Sequence, residues 1–161
     1  MKLKIAMFAL MALCSVCAVA EEDGVKVGFW FDAPAGISKE TVKGVSFGIP
    51  VCSMNRIRGA ELSLIGSATN YVRGFQYAWI GFNRAKTLRG CQLAFVNLIE
   101  EREDKGGVQV GFYNQCARRG IQIGFINNNR NNAKFQFGLV NINENGWLPV
   151  MIFVNFGKSF K

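Results

Sequence analysis

The side chains able to do chemistry are few, and their spacing gives them little to do together. The acidic run Glu100, Glu101, Glu103 and Asp104 offers oxygen ligands of the kind Ca2+ takes, but without the fixed alternate spacing of a calcium loop. A solvated loop tip explains it as well. Cys116 stands beside Arg118 and Arg119, a setting that lowers a thiol pKa, yet no second thiol is spaced for exchange. The amide tract Asn127 to Asn132, interrupted by Arg130, could contact sugars, and equally reads as a polar turn. There is no His in the 161 residues, which removes the commonest general base and zinc ligand. The glycines are spaced for strands and form no phosphate-binding turn between strand and helix. The sequence therefore predicts no catalytic residue, no cofactor and no metal, and a protein that is not an enzyme.

What must position these groups is a repeat. In Gly107 to Asn127, GVQVGFYNQCARRGIQIGFIN, one phrase of the form Gly, apolar, Gln, apolar, Gly, apolar, apolar, Asn occurs twice. Alternation with period two places Val108, Val110 and Phe112, then Ile121, Ile123 and Phe125, on one face of an extended chain. Gly107, Gln109, Gly111, Gly120, Gln122 and Gly124 share the other. A helix would scatter both sets and suffer from the glycines, so the repeat specifies strands.

Copies begin at Gly44, Gly59, Gly74, Gly90, Gly107, Gly120 and Lys134, spaced by 15, 15, 16, 17, 13 and 14 residues. The third position reads Ser46, Glu61, Gln76, Gln92, Gln109, Gln122, Gln136, and the fifth is always small, as in Gly111, Gly124 and Gly138. Asn97, Asn114, Asn127 and Asn141 occupy the eighth position, where a turn is expected because asparagine tolerates left-handed backbone. The defining set is thus Gly74, Gln76, Gly107, Gln109, Gly111, Asn114, Gly120, Gln122, Gly124, Asn127, Gln136, Gly138 and Asn141. Two further segments alternate, Gly24 to Phe31 and Val150 to Phe160.

The short polar connections, Ser67 to Asn70, Arg84 to Thr87, Glu100 to Lys105, Gln115 to Arg119 and Asn128 to Asn132, suit hairpin turns. The expected fold is accordingly all-β, an antiparallel up-and-down meander of about eight short strands closing into a small barrel. A parallel β-solenoid, one repeat of about 15 residues per coil with the Gln residues in a ladder and the large residues in its core, is the alternative. With the apolar face outward the barrel would sit in a membrane, lined by Gly, Gln and Ala. Ten-residue Val72 to Gly81 is long enough to span, and Arg58, Arg73, Arg89 and Arg119 are placed to snorkel. Membrane lipid is then the expected partner. With the apolar face inward the product is a soluble secreted binding module, with a protein or glycan as partner.

Lys2 and Lys4, the apolar run Ile5 to Val16, and Ala18 and Ala20 before Glu21 read as a secretory signal over residues 1–20, leaving one β-repeat domain over 21–161. The chain carries 19 Lys and Arg against 11 Asp and Glu, but they are dispersed, which argues against nucleic acid. Beyond the leader only Cys52, Cys91 and Cys116 remain, an odd number from which at most one disulfide can form.

The phrases GVQVGFYN, GIQIGFIN and FQFGLVN, followed by NGWLPVMIFVNFG, resemble a family of uncharacterised bacterial surface repeat proteins built from tandem GVQIGLxN units with a terminal LP-containing strand. The resemblance covers about Gly44 to Phe160. The copies before Gly74 depart from it, with Ser46 or Glu61 for Gln and no Asn. It implies export to the bacterial outer membrane or cell surface and no catalytic residue.

Overall fold

A computed structural model describes residues 24–29, 36, 39, 41–100, 107–117 and 119–158. The leader, Glu101, Glu103, Asp104 and Arg118 lie outside the described residues. Ten strands follow one another in a single sheet: β1 (Val25–Phe29), β2 (Thr41–Ile49), β3 (Val51–Ser63), β4 (Gly66–Ala78), β5 (Phe82–Leu93), β6 (Val96–Ile99), β7 (Val108–Cys116), β8 (Ile121–Asn129), β9 (Phe135–Asn143) and β10 (Val150–Phe156). Every pairing from β1 to β9 is parallel. Only β10 runs antiparallel, on β9. The chain is a parallel β-solenoid of about six turns, and the antiparallel meander and its closed barrel are corrected accordingly.

The reason lies in the segments expected to be turns. Ser67 to Asn70 and Arg84 to Thr87 are extended, inside β4 and β5, and Ser67 pairs with Asn83 as Thr69 pairs with Ala85. They are the return half of each coil. In β3, β4 and β5 the strand bends without ending: β3 passes through Gly59 and carries residues of both halves. Gly44, Gly59, Gly74 and Gly90 make that bend at φ of +137° to +147°, a region L side chains rarely adopt. A Cβ on Gly90 would also run into the Gly74 carbonyl oxygen.

Each coil therefore has two walls. The first wall carries the repeat phrase (45–49, 60–63, 75–78, 91–93, 108–111, 121–124 and 135–138); the second carries the polar return (51–55, 66–70, 82–86, 96–99, 113–116, 126–129 and 140–143). Registration is like on like. Gly44, Gly59, Gly74 and Gly90 form one column, and Ser46, Glu61, Gln76, Gln92, Gln109, Gln122 and Gln136 another. In-register parallel stacking gives an amide within either column an identical amide above and below, as Gln109 has Gln92 and Gln122.

The interior is the small, polar face. All seven third-position side chains are buried, while Trp79, Phe95, Phe112, Phe125, Phe137 and Leu139 are exposed. The outward direction expected for the large residues holds, in a different fold. Within the solenoid alternative, the placement of those residues in the core is corrected. Among the described residues the buried apolar cluster is Val42, Ile57, Val72 and Leu88 with Met54, Ala85, Ile99, Cys52 and Cys116. At the far end β10 closes the array through a bulge between Ile152 and Phe153, where Phe153 adopts φ +67°.

Candidate functional site

Two hydrogen-bonded ladders run the length of the interior. On the first wall, Gln136 Nε2 donates to Gln122 Oε1 at 2.7 Å, Gln122 to Gln109 at 3.0 Å, Gln109 to Gln92 at 3.2 Å, Gln92 to Gln76 at 2.7 Å, and Gln76 to Glu61 Oε2 at 3.1 Å. On the second wall, Ser67 donates to Asn83 Oδ1 at 3.0 Å, Asn83 to Asn97 at 3.3 Å, Asn97 to Asn114 and Asn114 to Asn127 at 2.9 Å, and Asn127 to Asn141 at 2.8 Å. The two ladders point in opposite directions along the axis.

Backbone carbonyls set those directions, because only the NH2 end of an amide can satisfy them. Gln109 Nε2 crosses the core to the Gln115 carbonyl, Gln122 Nε2 to that of Asn128 and Gln136 Nε2 to that of Ile142, tying the two walls together. Asn97, Asn114 and Asn127 each donate to a first-wall carbonyl of the next coil: Val110, Ile123 and Phe137. Buried amides that would each be unfavourable alone bond one another as sets, with Oε1 of the last rung, Gln136, left unpartnered among the described residues. Gly111, Gly124 and Gly138 leave room for this approach: a Cβ on Gly124 would meet both the Gly111 carbonyl and the Asn114 amide.

The residues that define the repeat are thus brought together as scaffold. Gly74 is a corner; Gln76, Gln109, Gln122 and Gln136 form one ladder; Asn114, Asn127 and Asn141 form the other. The asparagines are buried strand residues, which corrects their assignment to turns. Gly107 and Gly120 precede first-wall strands, and their carbonyls accept from Ile121 and Lys134.

Sequence reading missed Ser67 and Asn83, which occupy the asparagine column one and two residues later than the repeat spacing places them. It also missed the Val42, Ile57, Val72 and Leu88 column, visible as an apolar residue two places before each glycine.

Glu61 ends the glutamine ladder. It is wholly buried, with Thr69 Oγ1 donating to Oε1 at 2.7 Å. Burial pushes its carboxyl up to about 7, against the opposing pull of hydrogen bonds from Thr69, Cys52 and Gln76. Burial also pushes the Cys52 thiol up to about 12, assisted by the charge of Glu61, while its bond with Ser46 at 3.2 Å opposes the shift. Cys91 is raised by burial alone. Thiols held protonated are poor nucleophiles, and no disulfide joins Cys52, Cys91 and Cys116. Among the described residues no three His, Cys, Asp or Glu side chains gather as a metal site.

Comparison with family models, curated proteins and solved structures finds no match.

The two outer surfaces differ. The second wall shows Arg84 paired with Glu100 at 2.7 Å, Lys86, Asn70 and Gln115, and near its corner Arg56 lies over the Tyr71 ring at 5.2 Å. The first wall shows three stacked apolar columns. One runs Val45, Ala60, Phe75, Cys91, Val108, Ile121, Phe135; the next, two residues on, runs Phe47, Leu62, Tyr77, Leu93, Val110, Ile123, Phe137. In the third, the rings of Phe95, Phe112 and Phe125 stack face to face with centroids 4.9 Å apart. Nothing among the described residues covers these rings: Phe95 is 56% exposed, Phe125 49% and Trp79 72%.

Proposed function

We infer that this chain is an exported, non-enzymatic interaction module whose working surface is the flat apolar face of its first wall. The observation that carries this reading is the extent of that face. Seven strands ~4.8 Å apart and five residues at a rise of ~3.3 Å give it roughly 35 Å by 15 Å, toward the upper end of the roughly 300–600 Å² of the largest apolar patch on a typical monomer. An isolated exposed Phe means little, whereas an aromatic column in register is a surface held ready. The soluble β-repeat binding module is the reading the solenoid favours. Export rests on the leader pattern of residues 1–20, and a bacterial surface location on the resemblance of the tandem phrase.

A photoreactive benzoylphenylalanine in place of Phe125 tests this in cells that express the chain. Adducts are expected from position 125 and none from the same group in place of Arg84 on the opposite wall. Adducts at 84 with none at 125 would remove the face from consideration.

A further inference from the structure

One long edge of the apolar face is charged. Lys43, Arg58, Arg73 and Arg89 are consecutive register partners on β2 to β5, all exposed, and each lies two residues before the first apolar column. Like charges stacked at the spacing of neighbouring strands repel one another. Arg58, Arg73 and Arg89 have no ion-pair partner among the described residues. Arg58, Arg73 and Arg89 therefore form a row that is unfavourable by itself and becomes favourable against a row of anions.

The described residues of a second copy do not supply such a row. Among the described residues the acidic side chains are Glu61, which is buried, Glu100, which is paired with Arg84, and Glu144. An uncharged glycan would stack on the aromatic rings and leave the row unmatched. Resting on the assignment of the apolar face as the working surface, we propose that its partner is an anionic lipid bilayer on which the solenoid lies flat. The phenylalanine columns enter the acyl boundary, the cation row sits at headgroup level on its long stems, and Trp79, on the opposite edge, takes the interfacial position that indole favours. The chain lies on the membrane and does not span it: its backbone bonds run from coil to coil along the axis, and the polar second wall faces water.

Flotation of the purified full chain with vesicles of phosphatidylcholine alone, or of phosphatidylcholine with phosphatidylglycerol, tests the proposal. At low salt at least tenfold more protein is expected to rise with the anionic vesicles, and added salt should reduce the difference. The triple variant R58Q/R73Q/R89Q should fall to the level seen on phosphatidylcholine, and F112S/F125S should stay in the aqueous fraction. Unchanged circular dichroism would show that both variants remain folded. Equal flotation on the two vesicle types, untouched by the arginine changes, overturns the proposal. So does a wild-type chain that never floats. If that chain sediments as a dimer which F112S/F125S dissociates, or if position 125 crosslinks to protein or glycan, the lipid assignment fails and the working face survives. If it is monomeric and position 125 yields no adduct, both fail.

Discussion

The coils on either side of β6 solve the same packing problem with different chemistry. Toward the N-terminus the interior is part apolar: Val42, Ile57, Val72 and Leu88 fill one corner, and Met54, Ala85 and Ile99 fill the second wall. Toward the C-terminus the column of Met54 continues as Asn129 and Asn143, and nearly every inward side chain is an amide. The backbone changes with it. Glu61 to Ser67 spans six residues and Gln76 to Asn83 seven, but Gln109 to Asn114 only five, so the corner between ladders tightens where both ladders are complete. The difference teaches what each interior tolerates. Hydrophobic burial is non-directional and accepts a coil of 15 or 16 residues; a hydrogen-bonded ladder demands fixed rungs and yields coils that read almost identically.

The largest expected effect comes from cutting a ladder. Gln109→Leu keeps approximate size but deprives Gln92 Oε1 and the Gln115 carbonyl of their donor and Gln122 Nε2 of an acceptor. At ~1–3 kcal/mol for each orphaned buried group, a loss of about 4 kcal/mol is expected in urea denaturation. A loss below about 1 kcal/mol would show that the amides contribute no more than apolar filling does.

Next comes the boundary group. The folded pKa of Glu61, about 7, lies above its ordinary value of 4.5, so between those values the folded state holds a proton that the unfolded state has released. Stability is then greatest below pH 4.5, falls as pH rises to 7, and is flat above, by an amount of order 3 kcal/mol. Glu61→Gln, which extends the ladder with a neutral rung, should remove this slope from thermal melts taken between pH 4.5 and 7.5. A slope that persists in the variant would place the proton elsewhere.

Val72→Ala should cost about 2 kcal/mol through lost transfer and a small cavity in the apolar corner. Smallest is Phe112→Ser on the outer face. Phe112 is 44% exposed, and loss of its two ring stacks should lower stability by about 1 kcal/mol or less. A larger drop would mean that the aromatic column helps hold the coils together.

The sequence made the strands legible, along with the two faces and the residues of the glutamine ladder, because period two and a recurring phrase survive in one dimension. Strand direction was not legible. It depends on whether Ser67 to Asn70 bends back as a hairpin or continues as a wall, and a polar segment of that length suits either. The asparagine column was half legible: Asn114, Asn127 and Asn141 share one spacing, while Ser67 and Asn83 slide by one or two residues as the corner lengthens. Glu61 read as a lapse from the repeat. In the folded chain it is the acceptor on which that ladder terminates, a role set by what is stacked upon it. The cation row, too, became a row only in register, since its members are 15 or 16 residues apart in the chain.

The opposed polarity of the two amide rails bears on how such a rod can vary in length. An added coil contributes one rung to each rail, and their dipoles subtract, so no axial field accumulates however many units are inserted. Repeat number is left electrostatically unconstrained, and duplication of a unit between Gly107 and Asn143 would extend the rod without disturbing either end.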